Sequence, residues 1–567
     1  MCKKKPQDKD MKKVLAKANL TTRYSTKKNK LAHFFFTNAS GIFISRIFGF
    51  LRDAMQASIL GTSIYSDIFF IAFKFPNMFR RVVSEGAFVQ SFLPFFLGAR
   101  NKGAFSVSIF SIFLFLLLVL TGLVLWCAPL ITKILALGYD SSRISLALPL
   151  VKIHFWYLLL IFIVTYLSTL LQYKQIFWVN AYNTVLLNLA MIFAMIFIKT
   201  TQKDLLEAVY ILSYSVLIGG GCQILIHFYP LYTSKIWYLQ YIGFMRLRQW
   251  NKFARLQFQI YKICSTKRDS DVIGESKSSK ISQLTQDSTP CNYSAYIKAK
   301  RNILQLFHDI KIFFKAFLPA MLGASSAQII AIIDSSLVTL LPNSDGGVSV
   351  LNFANRVFQL PLALFAIATS SALFPTVAKA IKRGDSKETL QNLKTAFWFL
   401  AITLSLCVLG GIMLRNEIIW LIFERGNFTR TDTIMVGYAF IGYMLGLLPF
   451  GLVKIFSLWL YANKQQAKAA KFSVISLLIG TTLAGGFILT MRYMEITDGV
   501  FWELRYFFIA LAGSVGGFIL LFLTLKEFGI SNFLAIIKHK KYIVLLIVLL
   551  CATSIMLKIF TYFISIE

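Results

Sequence analysis

SRIFGFLRD, residues 45–53, places two arginines and an aspartate inside an otherwise apolar segment of the chain. A second apolar run follows, and it holds five more charged residues: Asp67, Lys74, Arg80, Arg81 and Glu85. An arginine at the centre of a membrane helix costs about 2.5–3.5 kcal/mol on insertion scales, so a chain that keeps several there has a use for them. The two segments therefore indicate a polar pathway through a membrane.

The composition supports a membrane location. The chain has 567 residues, of which 57% are hydrophobic and 15% charged, and its mean hydropathy is +0.65. An ordinary soluble domain is less apolar. Many runs are long enough to cross a hydrocarbon core of about 30 Å, which takes about 20 helical residues. None shows the two-residue alternation of a membrane barrel, so the sequence predicts an all-α polytopic membrane protein.

Thirteen apolar segments are predicted to span the membrane, as two six-helix lobes around a central cavity with one helix left over. They cover residues 34–62, 66–99, 104–134, 143–173, 178–199, 205–231, 311–340, 348–381, 389–422, 431–461, 467–492, 502–526 and 541–563. Many secondary transporters consist of two comparable helix bundles around a site at the membrane midplane.

The basic residues between these spans set the predicted orientation. With the N-terminus in the cytoplasm, every connection that follows an even-numbered span is cytoplasmic, and each of these connections is basic. This agrees with the positive-inside rule. Orientation and contact with anionic headgroups explain the net charge of +34, so we expect membrane lipids and not nucleic acid as partners.

The predicted organisation depends on one long polar interval, in which residues 264–295 are typical of a flexible linker. Before it, Arg248, Lys252 and Arg255 recur at helical spacing, which fits either an interfacial helix or an extension of the sixth span. The predicted parts are a basic cytoplasmic tail (1–32), a first six-helix lobe (33–232), a cytoplasmic amphipathic segment with linker (233–310), a second six-helix lobe (311–528) and an additional C-terminal helix (529–567).

The sequence offers no pattern for an enzyme, a metal site or a cofactor site. Its 7 cysteines are scattered, without a CxxC pair or an adjacent histidine. No nucleophile–base pair or glycine-rich phosphate loop stands out either, because the run at 219–221 lies within an apolar span. We therefore expect a protein without catalytic activity, bound metal or cofactor.

The helical register of the charged segments leaves two interpretations open. Arg46 and Asp53 are seven residues apart and nearly share a face of the first span. Arginines without matching acids indicate an anionic ligand, since guanidinium binds phosphate through paired, charge-assisted bonds. The alternative is a set of structural ion pairs, with Arg46 bound to Asp53 and Arg80 bound to Glu85.

Three further details of the register matter. Gly41, Ser45 and Gly49 form a stripe of small residues, which fits helix packing or the close approach of a ligand. Pro76 kinks the second span, so the choice between Arg80 and Arg81 as the residue that faces the interior stays open. In the eighth span, Asn352, Arg356 and Gln359 share a face just before Pro361.

These segments resemble the MurJ/MviN family of lipid II flippases, within the multidrug/oligosaccharidyl-lipid/polysaccharide exporter superfamily. The matching motifs are SRxxGxxRD at 45–53, AFKxPNxxRR at 72–81 and EGAF at 85–88, and weaker similarity extends over roughly 34–525. The resemblance implies alternating access between two lobes. It also implies transport of the undecaprenyl-diphosphate-linked peptidoglycan precursor from the cytoplasmic to the periplasmic leaflet of the bacterial inner membrane.

The resemblance implies roles for specific residues. The residues expected to bind substrate are Arg46, Arg52, Arg80 and Arg356. Those expected to support them or to act in gating are Ser45, Asp53, Asp67, Lys74, Glu85 and Gln359. The implied partners are the lipid-linked precursor, membrane lipids and cell-wall synthesis proteins, with the chain itself a monomer.

Several departures from the family pattern and alternative functions stay open. The start of the eleventh span reads QQAKA (465–469), without the acid and proline of relatives, so a sodium site there is in doubt and membrane potential is the favoured energy source. Asp334 fits a cation ligand or a hydrogen-bonded core acid. Relatives have fourteen helices, one more than predicted here. The alternative functions are transport of another polyprenyl-linked oligosaccharide, drug/cation antiport, or a scaffold without transport.

Overall fold

The computed structural model describes residues 40–41, 43–82, 88–251, 292–342, 345–463 and 465–566. Over these ranges the chain is helical apart from caps and short turns, and they contain no β-strand. The predicted all-α fold is confirmed.

The first helix group, α1–α9, extends from residue 43 to residue 251. Its members are α1 (43–60), α2 (Ile64–Phe79), α3 (Phe88–Gly98), α4 (Lys102–Trp126), α5 (Ala128–Leu135), α6 (Ser141–Tyr173), α7 (Trp178–Thr200), α8 (Leu205–Thr233) and α9 (236–251). Helix α6 lies at the centre of this group, in contact with α2, α3, α4, α5 and α8.

A long helix, α10 (Asn292–Val338), precedes the second helix group, α11–α21. The members of that group are α11 (Gly347–Pro361), α12 (Ala368–Arg383), α13 (Ser386–Met413), α14 (Arg415–Phe423), α15 (Arg430–Leu445), α16 (Leu447–Ala462), α17 (Gln466–Tyr493), α18 (Gly499–Glu503), α19 (Arg505–Phe528), α20 (Ile530–Ile537) and α21 (Lys540–Ile566). A π-helical turn, Leu362–Ile367, joins α11 to α12 directly after Pro361.

Within the described residues, ten helical segments are long and apolar enough to cross a membrane, in approximate agreement with the thirteen predicted spans. The protein is a multi-pass membrane protein. The sequence prediction was wrong about the continuity of several spans. The span 104–134 divides at Cys127 and 389–422 at Leu414, while 431–461 divides at Gly446 and 502–526 near its start at Leu504. At the first break Pro129 has no N–H to donate to the preceding turn, and it lies instead in the first turn of the new helix α5.

The polar interval is more helical than predicted. Residues 292–310, assigned to the linker and the cytoplasmic segment, form the first part of α10, while residues 252–291 lie outside the described residues. Helix α9 is separate from α8, because the chain turns at Lys235, which has a φ of +59°. Gln240 of α9 accepts a hydrogen bond from Tyr166 of α6 at 2.9 Å, so α9 is fastened to the first group.

Helix α10 packs against both helix groups, contacting α2, α3, α4 and α5 on one side and α17 on the other. Phe313 of α10 is fully buried, and its ring meets those of Phe88, Phe92 and Phe105 at centroid distances of 6.1–6.4 Å. Such aromatic pairs stabilise by about 0.5–1.5 kcal/mol each beyond their burial. The lobe boundaries assigned from sequence stay a prediction.

Candidate functional site

A cavity of about 830 Å³ lies among α1, α2, α3, α6, α7, α8 and α11. Its described lining includes five arginines and no acidic residue: Arg46, Arg52, Arg80, Arg81 and Arg356. We call it the cationic cavity. The structure thus brings together all four arginines predicted to bind substrate, and it places both Arg80 and Arg81 on the wall.

The Arg52 guanidinium is held in place by two neighbours. Its Nε donates to Asp53 Oδ1 at 2.9 Å, and a terminal nitrogen donates to Asn188 Oδ1 of α7 at 3.0 Å. Asn188 in turn donates to the backbone carbonyl of Ser45 at 3.2 Å. This chain of bonds fixes the orientation of Arg52 before any ligand arrives, which lowers the entropy lost on binding.

Asp53 is shared between two arginines from different helix groups. Its carboxylate is buried, and it accepts from Arg52 and also from Arg356 Nε of α11. The sequence-based alternative that paired Asp53 with Arg46 is wrong, because the two carboxylate oxygens are bound by Arg52 and Arg356. Arg46 itself is exposed on the cavity wall.

Gly49 allows Arg356 to approach α1. A Cβ atom at this position would lie 3.0 Å from an Arg356 terminal nitrogen, tighter than ordinary contact. Gly41, in the same stripe, lies against Ala181 of α7, where a Cβ would come within 2.5 Å of the alanine Cβ. The stripe therefore serves helix packing at one end, as predicted, and gives room to a protein side chain at the other, while the close approach of a ligand stays a prediction.

A smaller cavity of about 210 Å³ adjoins this cluster. It shares Arg52 and Arg356 with the cationic cavity, and its lining adds Lys74, Asn355 and the predicted Gln359. Gln359 donates to Asn355 Oδ1 at 2.9 Å. Ser45 lines the larger cavity.

Lys74 of α2 connects the first helix group to α10. Its ammonium donates to Ser335 Oγ, and it lines a third cavity of about 160 Å³ together with Asp334. Asp334 accepts a hydrogen bond from Thr481 of α17 at 2.5 Å. The candidate cation ligand Asp334 thus has a hydroxyl partner and a lysine cation beside it.

The segment after Pro76 is only partly described. Arg80 Nε donates to Asn77 Oδ1 at 3.2 Å, one turn back along the chain. Glu85, predicted to support the arginines or to pair with Arg80, lies outside the described residues.

Asp67 has a different location from the arginines, at one end of the contact between the two helix groups. Its fully buried carboxylate accepts from the backbone amides of Ser349 at 2.7 Å and Val348 at 3.3 Å, in the first turn of α11. A helix N-terminus attracts negative charge through its unpaired amides and its dipole. The Tyr139 hydroxyl also donates to Asp67 at 3.5 Å, and burial raises the pKa of Tyr139, so it keeps its proton.

Four segments contact one another at this end of the two helix groups: 58–67, 137–143, 339–349 without residues 343–344, and 424–432. We call them the closed end. Asn427 donates to the carbonyls of Ser58 at 2.8 Å and Ile59 at 2.7 Å. Thr62 donates to Asp432, and Arg143 pairs with Asp345 at 2.9 Å. The contacts include backbone groups of both helix groups.

A glycine is required at position 346 of the closed end. Gly346 has a φ of +86° and directly precedes α11, and any Cβ there would collide with the backbone carbonyl of Thr62. A larger residue at position 346 would therefore separate the helix groups as well as strain the turn.

Sequence reasoning missed the amide side chains of α7 and α8. Asn183, Asn188 and Gln223 line the cationic cavity. Gln223 donates to the carbonyl of Asn183 at 3.0 Å. Polar residues within apolar helices face the interior of a bundle or a cavity, so this signal was available in the sequence.

Comparison with known proteins places this site in a family. The sequence model described as "Lipid II flippase MurJ" matches residues 56–263 and 288–566. A probable lipid II flippase MurJ of Helicobacter pylori strain J99 is 43% identical over 511 residues, which is 89% of this chain and 96% of that protein. The chain belongs to the MurJ family. A second relative, from Buchnera aphidicola of Acyrthosiphon pisum, is 29% identical over 77% of this chain and 74% of its own length.

Solved structures show the same fold. A MurJ structure described as the inward closed conformation matches with a TM-score of 0.62 and 21% identity, over 94% of this chain and 99% of that one. An inward-facing MATE family multidrug transporter matches with a TM-score of 0.60 and 13% identity, over 87% of this chain and 97% of that one. The MurJ fold and the family membership describe a transporter of the bacterial membrane.

Proposed function

We propose that this MurJ family member is a lipid II flippase, which moves the undecaprenyl-diphosphate-linked peptidoglycan precursor from the cytoplasmic to the periplasmic leaflet. The observation that carries the proposal is the cationic cavity, whose described lining has five arginines and no acid. A diphosphate is the part of the precursor that such a wall binds, through paired charge-assisted hydrogen bonds.

Arg46, Arg52, Arg80 and Arg356 hold the diphosphate and the adjoining sugar in this proposal. Arg52 is already oriented by Asp53 and Asn188. Arg46, exposed on the wall, provides the first contact. Because Asp53 is buried with Arg52 and Arg356, an incoming phosphate competes with this carboxylate for the same guanidiniums.

Transport proceeds by alternating access between lobes at 33–232 and 311–528, with the N-terminus in the cytoplasm. In this orientation the closed end is periplasmic, and the cavity residues Gln90, Gln172 and Asn180 lie toward the cytoplasm. The structure then corresponds to a state that loads substrate from inside. Release requires the Asp67, Asn427 and Asp432 contacts of the closed end to separate.

The charge of the cavity weighs against the alternative of a drug/cation antiporter. A cationic drug is attracted by acids and repelled by arginines, and Asp53, which contacts two arginines of the wall, is bound by both of them. Another polyprenyl-diphosphate oligosaccharide would bind the same arginines through its diphosphate. The depletion experiment below distinguishes this substrate from lipid II.

Depletion of the protein in its own host, followed by measurement of lipid II on the outer leaflet, tests the function. We expect lipid II to accumulate in the inner leaflet and to become inaccessible to a probe applied from outside. Re-expression of the wild-type chain restores access, and a chain with Arg52→Ala does not. Unchanged outer-leaflet lipid II after depletion would contradict the proposal, and accumulation of a different lipid-linked sugar would identify the alternative substrate.

A further inference from the structure

A separate cavity of about 380 Å³ lies between α13 and the start of α21. It shares no lining residue with the cationic cavity. Lys394 of α13 and His539, in the connection that precedes α21, provide its basic groups, and Trp398 and Tyr542 provide its aromatic wall. We call it the α13–α21 cavity.

The basic groups of the α13–α21 cavity contact each other without an acid in the described lining. Lys394 Nζ lies directly against His539 Nε2. Some other basic residues near the same predicted membrane surface do have carboxylate partners: Lys468 pairs with Glu527 at 2.5 Å and Arg383 with Glu388 at 3.6 Å. Two nitrogens that can both donate are better satisfied by an anion that accepts from each of them.

The rest of the α13–α21 cavity is aromatic and apolar. The Trp398 ring stacks on Tyr542 with centroids 5.3 Å apart, and its Nε1 donates to the Ile536 carbonyl at 3.2 Å. Phe399 and Ile402 continue the lining along α13, and 48% of the Phe399 surface is exposed. The cavity is therefore polar at one end and apolar at the other.

The location of this cavity selects the type of ligand. Only 6% of the apolar stretch within Lys540–Ile559 of α21 is buried in the protein, so this helix exposes its sides to lipid. Tryptophan and tyrosine concentrate at the membrane–water interface. Lys538, Lys540 and Lys541 flank His539 and add positive potential there, which attracts the anionic lipids of the cytoplasmic leaflet.

We propose that the α13–α21 cavity binds the headgroup phosphodiester of an anionic phospholipid. Lys394 and His539 donate to the phosphate oxygens. Trp398 and Tyr542 contact the glycerol, and Phe399 and Ile402 contact the first methylenes of an acyl chain. The bound lipid bridges α13 and α21 and so stabilises the docking of the C-terminal helix.

Native mass spectrometry of the full chain in detergent, titrated with phosphatidylglycerol, tests the site. The double variant Lys394→Gln/His539→Gln is expected to bind its tightest lipid about tenfold more weakly, since each basic group near the surface contributes attraction. The control Lys382→Gln removes an exposed lysine from the last turn of α12 and should bind like the wild type. Equal binding by the double variant would overturn the proposal.

A second variant and two further ligands complete the test. Thr395→Glu places an acid in the exposed part of the lining while Lys394 and His539 stay, and it should weaken binding even if the double variant fails to fold. Phosphatidylcholine, whose headgroup has no net charge, should bind the wild type and the variants equally. Displacement of phosphatidylglycerol by an equal concentration of inorganic phosphate would show a soluble-anion site and overturn the lipid assignment.

Discussion

Arg356 of α11 forms an ion pair with Asp53 of α1, and this pair joins the two helix groups at the wall of the cationic cavity. Asp53 has a second arginine partner, Arg52. Neutralising Asp53 or Arg356 alone therefore leaves the charge of its partner unmatched in a partly buried location. Removal of one partner of a buried pair is more destabilising than replacement of both.

A double-mutant cycle measures this pair. Asp53→Asn and Arg356→Gln should each lower the apparent melting temperature in detergent, and the double variant should lose less than the sum. The coupling is expected within about 0.5–3 kcal/mol. The exposed Arg430–Glu424 pair, at 3.5 Å, is the matched comparison, and its coupling should be about 0–1 kcal/mol. Additive losses for Asp53 and Arg356 would contradict the observed pairing.

Single alanine substitutions of the cavity arginines should abolish function. A strain depleted of its own flippase should not grow with Arg46→Ala, Arg52→Ala or Arg356→Ala, although each variant reaches the membrane in normal amount. The control is Arg492→Ala, which removes an exposed arginine from the last turn of α17. Normal growth with all three cavity variants would argue against a diphosphate site.

The lysine variant of Arg52 separates charge from geometry. Arg52→Lys keeps the positive charge, but a lysine cannot bond Asp53 and Asn188 with a planar fork as the guanidinium does. We expect growth between that of the wild type and that of Arg52→Ala, measured as doubling time in the same strain. Full growth would show that charge alone is sufficient at this position.

Loss of the Asp67 carboxylate should open the closed end. A hydrogen bond to a charged group contributes about 1.5–3 kcal/mol, and every 1.4 kcal/mol changes a population tenfold. Asp67→Ala should therefore raise labelling of a Ser45→Cys reporter, in a chain without other cysteines, by about tenfold. The label is an impermeant maleimide applied from outside. Asp204→Asn, a change at the exposed N-cap of α8 outside the closed end, serves as the control and should leave labelling low.

We expect transport to be independent of sodium, because Lys74 already provides a positive charge in the cavity that Asp334 lines. Flipping in reconstituted vesicles should continue when potassium replaces sodium, and it should slow when the membrane potential is collapsed. Moving one charge through 100 mV contributes about 2.3 kcal/mol. Lys74→Gln should introduce a dependence on sodium, or else stop transport. Arrest of the wild type by sodium removal alone would contradict this expectation.

The sequence predicted the helical fold and the gathering of charge, because apolar length and intramembrane arginines are local signals. It did not predict which arginines share Asp53. Seven-residue spacing allowed the Arg46 pair, whereas the observed partner, Arg356, comes from a distant helix. The Asp67 contact was equally hidden, since its partners are backbone amides of Val348 and Ser349, which carry no signature in side-chain type.

The same distinction between local signals and distant contacts applies to the breaks in the predicted spans and to the long helix α10. A proline at position 129 marked the start of α5, and it could have been used to divide the predicted span. The extension of α10 back to Asn292 depends on packing of its later turns, with Phe313 buried against α3 and α4. Polar composition in residues 292–310 concealed a helix that tertiary contacts stabilise.

The size of the cationic cavity has a consequence for what the protein can discriminate. Its volume of about 830 Å³ is within the range of sites for drug-sized molecules, about 300–1,000 Å³. The precursor of the proposed function has, by the family resemblance, a headgroup of two sugars and five amino acids, which is larger than such a molecule. Only its diphosphate end and the nearest sugar then fit among the arginines. The peptide then stays in water, and the protein should tolerate stem peptides of different composition while it rejects lipids that lack the diphosphate.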